Sequence, residues 1–459
     1  MSTFFQRLNS FFTKGKATEI KNKLVLSENP LLRYFTFSSL YVSQGIPEGL
    51  TFFAIPAWMA VNGNTPAEIG GFIAIIGIPW SFKILVAPLM DRFSFLPMGK
   101  RRPWVIFGQL GLIISLLCMA FVNDPLNNLS TLMIAGFFVS FFGAFQDVAT
   151  DGMAIDIVPV NEQARANGLM WGSKTIGTSL SLAGSTFVIN TYGFKYAVLI
   201  LAFTVMCIIL VPIFFREKQG EKLLPWTKGA TSKSSEKMQL KSWKIIFKSL
   251  MKVFFLPSSL LMGVAAFIIC TGFGLMDAIL PVFTVQKIGW TNTYFSQIMA
   301  VSNITAGLLG MFVGGALVDF FGKTKMMSFY LISLMVLVAI MALFKNSWSN
   351  SLFVPGFIVC YYTLYTFLNI AIFAAAMELC WKRISATQFT LYMAISNLGR
   401  ATGAGLLGQL KDFFEVWEYV ILVIALFALI MLILIRRMNV DKHLFKIDNL
   451  EANHIGNIV

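Results

Sequence analysis

The sequence predicts an all-α polytopic membrane protein whose twelve transmembrane helices form two pseudo-symmetric six-helix bundles. Of its 459 residues, 57% are apolar and 13% are charged, whereas soluble domains are about half apolar and a quarter charged. The mean hydropathy is +0.73. Apolar residues form runs of roughly 20 or more, long enough to cross a ~30 Å hydrocarbon layer. A polar, Lys- and Ser-rich segment at 216–252 divides these runs six and six.

Helices are predicted for every run, because a lipid-exposed strand would leave its backbone groups unpaired. In order, the predicted spans are about 34–61, 68–90, 103–123, 130–159, 166–190, 194–215, 253–286, 293–320, 326–345, 350–381, 387–410 and 417–437. The predicted domains are a leader at 1–33, an N-terminal bundle at 34–215, a linker at 216–252, a C-terminal bundle at 253–437 and a tail at 438–459.

The net charge of +14 is distributed unevenly along the chain. Of 36 Lys and Arg residues, 29 fall in the leader, in alternate loops and in the tail. Such asymmetry is typical of cytoplasmic loops, so both termini are predicted to be cytoplasmic. The basic linker is expected to lie against anionic lipid headgroups, and nucleic acid is not an expected partner.

Histidine and cysteine usage argues against an enzyme or a metalloprotein. The two histidines, His443 and His454, lie in the tail, so we expect no buried histidine to act as a base or a metal ligand. The five cysteines are scattered without CxxC spacing and are predicted to be packing residues. We therefore predict no enzymatic activity and no cofactor. A membrane-embedded lipid-modifying enzyme is the alternative from another class.

The two halves resemble each other in sequence. Asp91 and the basic turn after it recur as Asp319 and residues 322–325, at an offset of 228. Similar offsets of 222 to 225 relate four further pairs: Phe145 and Phe367, Asp156 and Glu378, Gly177 and Gly399, Pro56 and Pro281. Near-constant offsets in separate regions indicate an internal repeat.

Six plus six helices with a duplicated acidic-then-basic loop resemble the plan of the major facilitator superfamily. The resemblance implies alternating access around a site near the bilayer midplane. It also implies a cytoplasmic gate, predicted to consist of Asp91, Arg92, Arg101, Arg102, Asp156, Asp319 and Glu378. The alternative for these residues is local electrostatics at helix ends.

Four segments support a closer resemblance. Residues 43–47, 77–92, 146–151 and 385–389 read SQGIP, GIPWSFKILVAPLMDR, QDVATD and SATQF. They resemble the AmpG-type muropeptide permease family and, less closely, its relative, the acetyl-coenzyme A transporter family. The resemblance implies proton-driven import of an anhydro-muropeptide across a bacterial inner membrane, and we expect a monomer. Acetyl-coenzyme A and siderophores are the alternative cargoes. The linker is too short for the two additional helices of some permeases.

Ionisable residues inside the spans are the candidate site, since each costs roughly 2.5–3.5 kcal/mol at mid-bilayer on insertion scales. At about 1.5 Å per residue, the depths of Lys83, Asp147, Asp151 and Lys174 predict one cluster in the N-terminal half. The predicted substrate-binding residues are Lys83, Glu48, Arg400, Lys174, Trp80 and Trp171. The predicted proton-coupling residues are Asp147, Asp151, Glu48 and Asp277. A static ion-pair network is the alternative.

Three further expectations concern single positions in the spans. Gly45 and Pro47 are expected to break the first helix just before Glu48. Arg400 is suited to a carboxylate or phosphate by its planar fork. Asp277 is expected near the outer, wet end of its span. Together the predicted site residues indicate an amphiphilic anion as cargo.

Overall fold

The computed structural model describes residues 24–93, 95–159, 162–231, 243–381 and 384–455. These residues form long helices, and the β-pairing among them is one isolated bridge between Val25 and Arg216. The predicted all-α class is confirmed.

The N-terminal half contains six helical rods. They are α1 (Pro30–Glu48, Gly49–Ala54 and Ile55–Val61), α2 (Pro66–Gly77, Ile78–Phe82 and Lys83–Arg92), α3 (Arg102–Ala120), α4 (Leu129–Ile157), α5 (Gln163–Tyr192) and α6 (Phe194–Ile208 and Leu210–Phe214). A short turn, Leu96–Met98, precedes α3.

The linker and the C-terminal half follow the same plan. The rods are α7 (Trp243–Phe254) in the linker, α8 (Pro257–Val282 and Phe283–Lys287), α9 (Asn292–Leu309, Gly310–Gly314 and Gly315–Phe321), α10 (Lys323–Leu343), α11 (Phe353–Glu378), α12 (Ser385–Gly405 and Leu407–Phe413), α13 (Trp417–Arg436) and α14 (Val440–Ile455).

Within the described ranges, nine helices are long and apolar enough to cross a membrane. The rods α1, α5 and α12 are not among them, and they carry Glu48, Lys174 and Arg400 amid small and polar residues. A helix that lines the bundle interior can hold polar groups because its neighbours, rather than lipid, surround them. The count of twelve crossings stays a prediction.

Both ends of the described chain lie on one side of the molecule, here called the terminal side. The N-terminal segment pairs with the start of the linker, where Leu26 N donates to Arg216 O at 2.9 Å. At the other end, Ser258 Oγ donates to Asn439 O at 2.9 Å. The opposite face is called the distal side. The cytoplasmic location of the terminal side stays a prediction from the basic residues.

Glycines bring α5 very close to α1. A Cβ at Gly45 would collide with the backbone of Lys174 and Thr178, and one at Gly177 would collide with Val42. The repeat-related Gly399 likewise abuts the backbone of α8 at Phe267. The two halves therefore share the same close contact between their first and fifth rods.

Helix α1 does not break at Gly45 and Pro47, so that expectation was wrong. The α-helix continues to Glu48 and then widens into a π-helical turn, Gly49–Ala54. The hydroxyl of Thr51 donates to the carbonyl of Pro47 at 2.7 Å. Because this hydroxyl supplies a donor to the Pro47 carbonyl, the helix can widen here without leaving that carbonyl unpaired.

Hydrogen bonds join the halves on the distal side. Asn190 and Asn292 exchange two side-chain bonds of 2.8 Å, and Gln286 donates to the Asn64 carbonyl at 2.7 Å. These contacts hold the two halves together on the distal side, so the molecule is closed there.

The C-terminal tail contains a buried histidine, contrary to the expectation from the sequence. His443 is buried on α14, and its Nε2 lies 2.9 Å from the Leu379 carbonyl. It is buried because α14 packs through Ile447 against a small apolar cluster that includes Leu250 and Trp381. Burial lowers the pKa of His443. This contact lies at the terminal side, away from the central charges.

Candidate functional site

Ionisable side chains from both halves converge between the rods. We call this set the central charge network; it consists of Glu48, Lys83, Asp147, Lys174, Asp277 and Arg400. All six were predicted to be site residues. Their roles in substrate binding and proton coupling remain predictions, while the contacts below show how they are paired.

Lys83 and Asp147 form a buried ion pair within the N-terminal half. Their side chains are each 9% exposed, and Lys83 Nζ contacts Asp147 Oδ2. A 3-10 turn, Ile78–Phe82, precedes Lys83, which lies 4.9 Å from the centre of the Trp80 ring. The depth estimate placed both residues in one cluster, and the structure pairs them directly.

Glu48 connects the two halves. Its Oε2 lies 3.1 Å from Lys174 Nζ in the N-terminal half. Its Oε1 lies 3.9 Å from Arg400 Nη1 in the C-terminal half. A single carboxylate thus lies between a lysine and an arginine from opposite bundles.

Arg400 is held by its own half. Its Nε donates to Asp277 Oδ2 at 2.7 Å, and the other oxygen of Asp277 accepts from the Tyr362 hydroxyl at 2.8 Å. The guanidinium lies 5.0 Å from the Phe52 ring centre. Asp277 is 4% exposed, so the expectation of a wet position was wrong. It is buried because Arg400 and Tyr362 supply the partners that water would otherwise provide.

Within the predicted four-residue cluster of the N-terminal half, Asp151 lies within electrostatic range of Lys83, Asp147 and Lys174, but two of the four residues take their direct partners from outside it. Lys174 pairs with Glu48, and Asp151 accepts from the Tyr41 hydroxyl. Depth along a helix gives the height of a side chain but not its direction around the axis. The close contact of α5 with α1 directs Lys174 to Glu48.

Aromatic rings surround the cations. Lys174 Nζ lies 5.5 Å from the Trp80 ring centre and 5.3 Å from that of Trp171. Such contacts contribute about 0.5–2 kcal/mol depending on solvation. The predicted substrate-site tryptophans therefore adjoin the predicted substrate-site lysine.

Sequence reasoning placed none of Tyr41, Phe52 and Tyr362 among the site residues. Tyr41 lies seven residues before Glu48, a spacing that places both on one helix face. That periodicity could have identified Tyr41. Phe52 carries no comparable signal, because its position depends on the π-helical turn of α1.

The gate residues form acid–base pairs on the terminal side. Asp156 lies 3.1 Å from Arg101 Nε, and the repeat-related Glu378 lies 3.1 Å from Lys323 Nζ. Each pair belongs to one half and does not join the two. Asp319 is exposed. The side chains of Asp91 and Arg92 lie outside the described part of the chain, so their gate role stays a prediction.

Arg102 was predicted to be a gate residue, but its side chain belongs to a different feature. Its guanidinium donates to the carbonyls of Met98, Pro212, Ile213, Lys222 and Leu223. Helix α6 ends at Phe214, and its last carbonyls lack partners within the helix. Arg102 supplies those partners, and it is therefore fully buried.

Glu217 completes this feature from the linker. Its buried carboxylate accepts the backbone N–H groups of Lys100 at 3.0 Å and Arg101 at 2.8 Å, and also that of Arg102. Burial raises the pKa of Glu217. We call Gly99, Arg102 and Glu217 the linker clasp, because they bind the linker to the loop before α3.

The Major Facilitator Superfamily model matches residues 37–404. The chain belongs to the major facilitator superfamily. It is a multi-pass membrane transporter rather than an enzyme.

The chain is similar to curated relatives along most of its length. It is 24% identical over 370 residues to the anhydromuropeptide permease of Escherichia coli K12, covering 78% of this chain and 70% of that one. It is 25% identical over 427 residues to putative transporter AmpG 4 of Rickettsia conorii, covering 87% and 96%. The resemblance to the AmpG type is confirmed at this level of identity.

Solved structures share the major facilitator fold. The nucleoside transporter NupG superposes with a TM-score of 0.67 at 13% identity, covering 88% of this chain and 98% of that one. A D-xylose-proton symporter gives a TM-score of 0.70 at 8% identity, covering 89% and 98%. These likenesses support the fold.

Proposed function

We propose that this transporter imports an amphiphilic anion together with protons, and that the anion is an anhydro-muropeptide. The observation that carries the proposal is the pairing of three cations, Lys83, Lys174 and Arg400, with carboxylates inside the molecule, where Glu48 connects the two halves. Cations at such a position attract an anion, and carboxylates beside them can take up protons.

Charge balance favours proton coupling. The network and Asp151 together hold three cations and four carboxylates, so the fully ionised site has one negative charge in excess. An anion entering that site would be repelled. Protonation of one or more carboxylates removes the repulsion, so an anionic cargo and protons are expected to move in the same direction.

The cargo class follows from the surroundings of the cations and from the relatives. Trp80 and Trp171 offer ring faces beside Lys174 on which a sugar could stack. The buried Trp80 Nε1 and Ser81 Oγ have no hydrogen-bond partner among the described residues, and they could bind polar groups of a ligand. Relatives named anhydromuropeptide permease and putative transporter AmpG 4 match most of this chain.

We also propose a membrane location and an oligomeric state for the protein. The protein is placed in a bacterial inner membrane with both termini in the cytoplasm, from its basic residues and its bacterial relatives. It is proposed to act as a monomer, since the network is complete within one chain.

The direct test is uptake of a labelled anhydro-muropeptide into proteoliposomes, with and without an inward proton gradient. Accumulation that requires the gradient is expected. With orientation and reconstitution verified, absence of uptake would overturn the cargo assignment, and a coenzyme A thioester and a siderophore would be tested next. Uptake that ignores the gradient would overturn proton coupling.

A further inference from the structure

We propose that Glu48 is a built-in substitute for the anionic group of the cargo. In the empty carrier it occupies the position between Lys174 and Arg400 that the cargo anion takes in the loaded carrier. The inference rests on the proposed function in one respect, namely that the cargo is an anion.

The two cations belong to different halves, and Glu48 is the carboxylate that lies between them. Its two oxygens face Lys174 Nζ at 3.1 Å and Arg400 Nη1 at 3.9 Å. An external carboxylate or phosphate that displaced Glu48 would meet the same two donors. The chain itself therefore places a carboxylate between the two cations that would attract an external anion.

Both cations are held by other groups and would stay in place if Glu48 left. Arg400 is fixed by Asp277 at 2.7 Å, and Asp277 is fixed by Tyr362. Lys174 lies 5.5 Å from the Trp80 ring centre and 5.3 Å from that of Trp171. An incoming anion would thus find donors that are already oriented.

Local charge then determines when the halves can move. The formal charges of Lys174, Arg400, Asp277 and ionised Glu48 sum to zero. Lys83 and Asp147 form a separate neutral pair, and the one negative charge in excess belongs to Asp151, which contacts Tyr41 rather than Glu48. The empty carrier can therefore close around the Glu48 group at little electrostatic cost. Protonated Glu48 leaves one positive charge, and closure would bury it between the halves. A bound monoanion together with protonated Glu48 restores neutrality. The empty and the fully loaded carrier can therefore change conformation, and the proton-only carrier cannot.

The first experiment uses no cargo. Single-molecule fluorescence energy transfer between dyes at N62C and K287C, on the distal side, would report opening and closing in a background without native cysteines. For the wild-type network we expect interconversion to slow as pH falls. The Glu48→Gln variant should interconvert about tenfold more slowly than the wild type at pH 8, which corresponds to about 1.4 kcal/mol in the barrier. Its rate of interconversion should not depend on pH.

The control variants change the net charge of the group around Glu48. Lys174→Gln alone leaves one negative charge and should also slow interconversion, whereas Glu48→Gln combined with Lys174→Gln is neutral and should restore it without pH dependence. Glu48→Asp keeps the charge and should retain pH dependence. Asp412→Asn removes an exposed acid from the distal end of α12 and should change nothing. A double variant as slow as the single variants would overturn the proposal.

The second experiment measures binding of the anhydro-muropeptide. Removal of the internal competitor should lower the Kd of Glu48→Gln by about tenfold at pH 8 and flatten its pH dependence. An unchanged Kd with wild-type pH dependence would make Glu48 a structural residue. Because the first experiment contains no cargo, it tests the Glu48 proposal even if muropeptide uptake fails, and that failure would overturn only the cargo assignment.

Discussion

At the scale of single residues, the pair formed by Lys83 and Asp147 shows why an intramembrane charge can serve stability and function together. Each side chain is 9% exposed and lies in contact with the other. Removal of one partner leaves an unpaired buried charge, which costs about 3–5 kcal/mol. Removal of both leaves two neutral groups at much lower cost.

We therefore expect Lys83→Met and Asp147→Asn each to lower the thermal unfolding midpoint in detergent, by the equivalent of about 3–5 kcal/mol. The double variant should recover most of the loss. If the pair also takes part in transport, gradient-driven uptake should stay lost in the double variant. Wild-type uptake by a stable double variant would show that the pair is structural only.

The identities of these charged residues were predictable from the sequence, but their partners were not. A lysine or aspartate within an apolar run is visible without a structure. Lys174 was expected beside Asp147 and Asp151 but pairs with Glu48. The difference arises because helix rotation, which the sequence does not specify, decides which face of α5 meets α1.

At the scale of elements, the linker clasp shows how a polar connection is bound to a bundle. Gly99 has a φ of +107°, and a Cβ at this residue would lie 2.7 Å from the carboxyl carbon of Glu217. The corresponding turn in the second half has Gly322 at a φ of +90°, with open space around its Cβ position. The two glycines are thus a matched pair.

Gly99→Ala should destabilise the protein more than Gly322→Ala. Left-handed backbone strain costs about 1–3 kcal/mol at either position, and only Gly99→Ala also displaces Glu217. The readout is the difference between the two unfolding midpoints. Equal losses would indicate that the clasp contributes nothing beyond the turn itself.

Glu221, in the same linker, predicts a pH dependence. Burial raises its pKa to about 7, which is above the pKa of the same group in the unfolded chain. Between these two pKa values the folded protein therefore binds more protons than the unfolded chain. Stability should therefore fall as pH rises from about 4.5 to 7. Glu221→Gln should raise the unfolding midpoint at pH 8, by the equivalent of roughly 1–3 kcal/mol, and leave it unchanged at pH 4. An equal effect at both pH values would contradict this cause.

Among the elements, sequence reasoning located the helices well and their irregularities poorly. Spans follow from long apolar runs, which are a local property. The π-helical turn at Gly49–Ala54 was not foreseen, and neither was the burial of Arg102 and His443. These features depend on contacts with distant segments: Arg102 binds carbonyls more than 100 residues away in sequence.

At the scale of the whole molecule, the distal contacts hold one of the conformations required for alternating access. Asn190 and Asn292 come from opposite halves and exchange hydrogen bonds of 2.8 Å. Outward opening must separate them, because α5 and α9 would have to part on that side.

A disulfide between N190C and N292C, in a background without native cysteines, should block transport and release it on reduction. Loss of uptake after oxidation and recovery with reductant would be measured in proteoliposomes. The matched control is D124C with N127C, a hydrogen-bonded pair within one distal loop, whose oxidation should leave uptake unchanged. Full uptake by the crosslinked N190C and N292C variant would show that this contact persists throughout the cycle.

The sequence by itself determined the helical membrane architecture, the division into two related halves and the identity of the charged residues. Each of these follows from hydropathy, spacing or repetition along the chain. Only the tertiary structure decided that Glu48 joins Lys174 to Arg400, that Arg102 binds the linker, and that the distal side is closed. Those outcomes depend on how each packed helix is rotated and on how close neighbouring helices lie. Glycine contacts and buried partners from distant parts of the chain fix both.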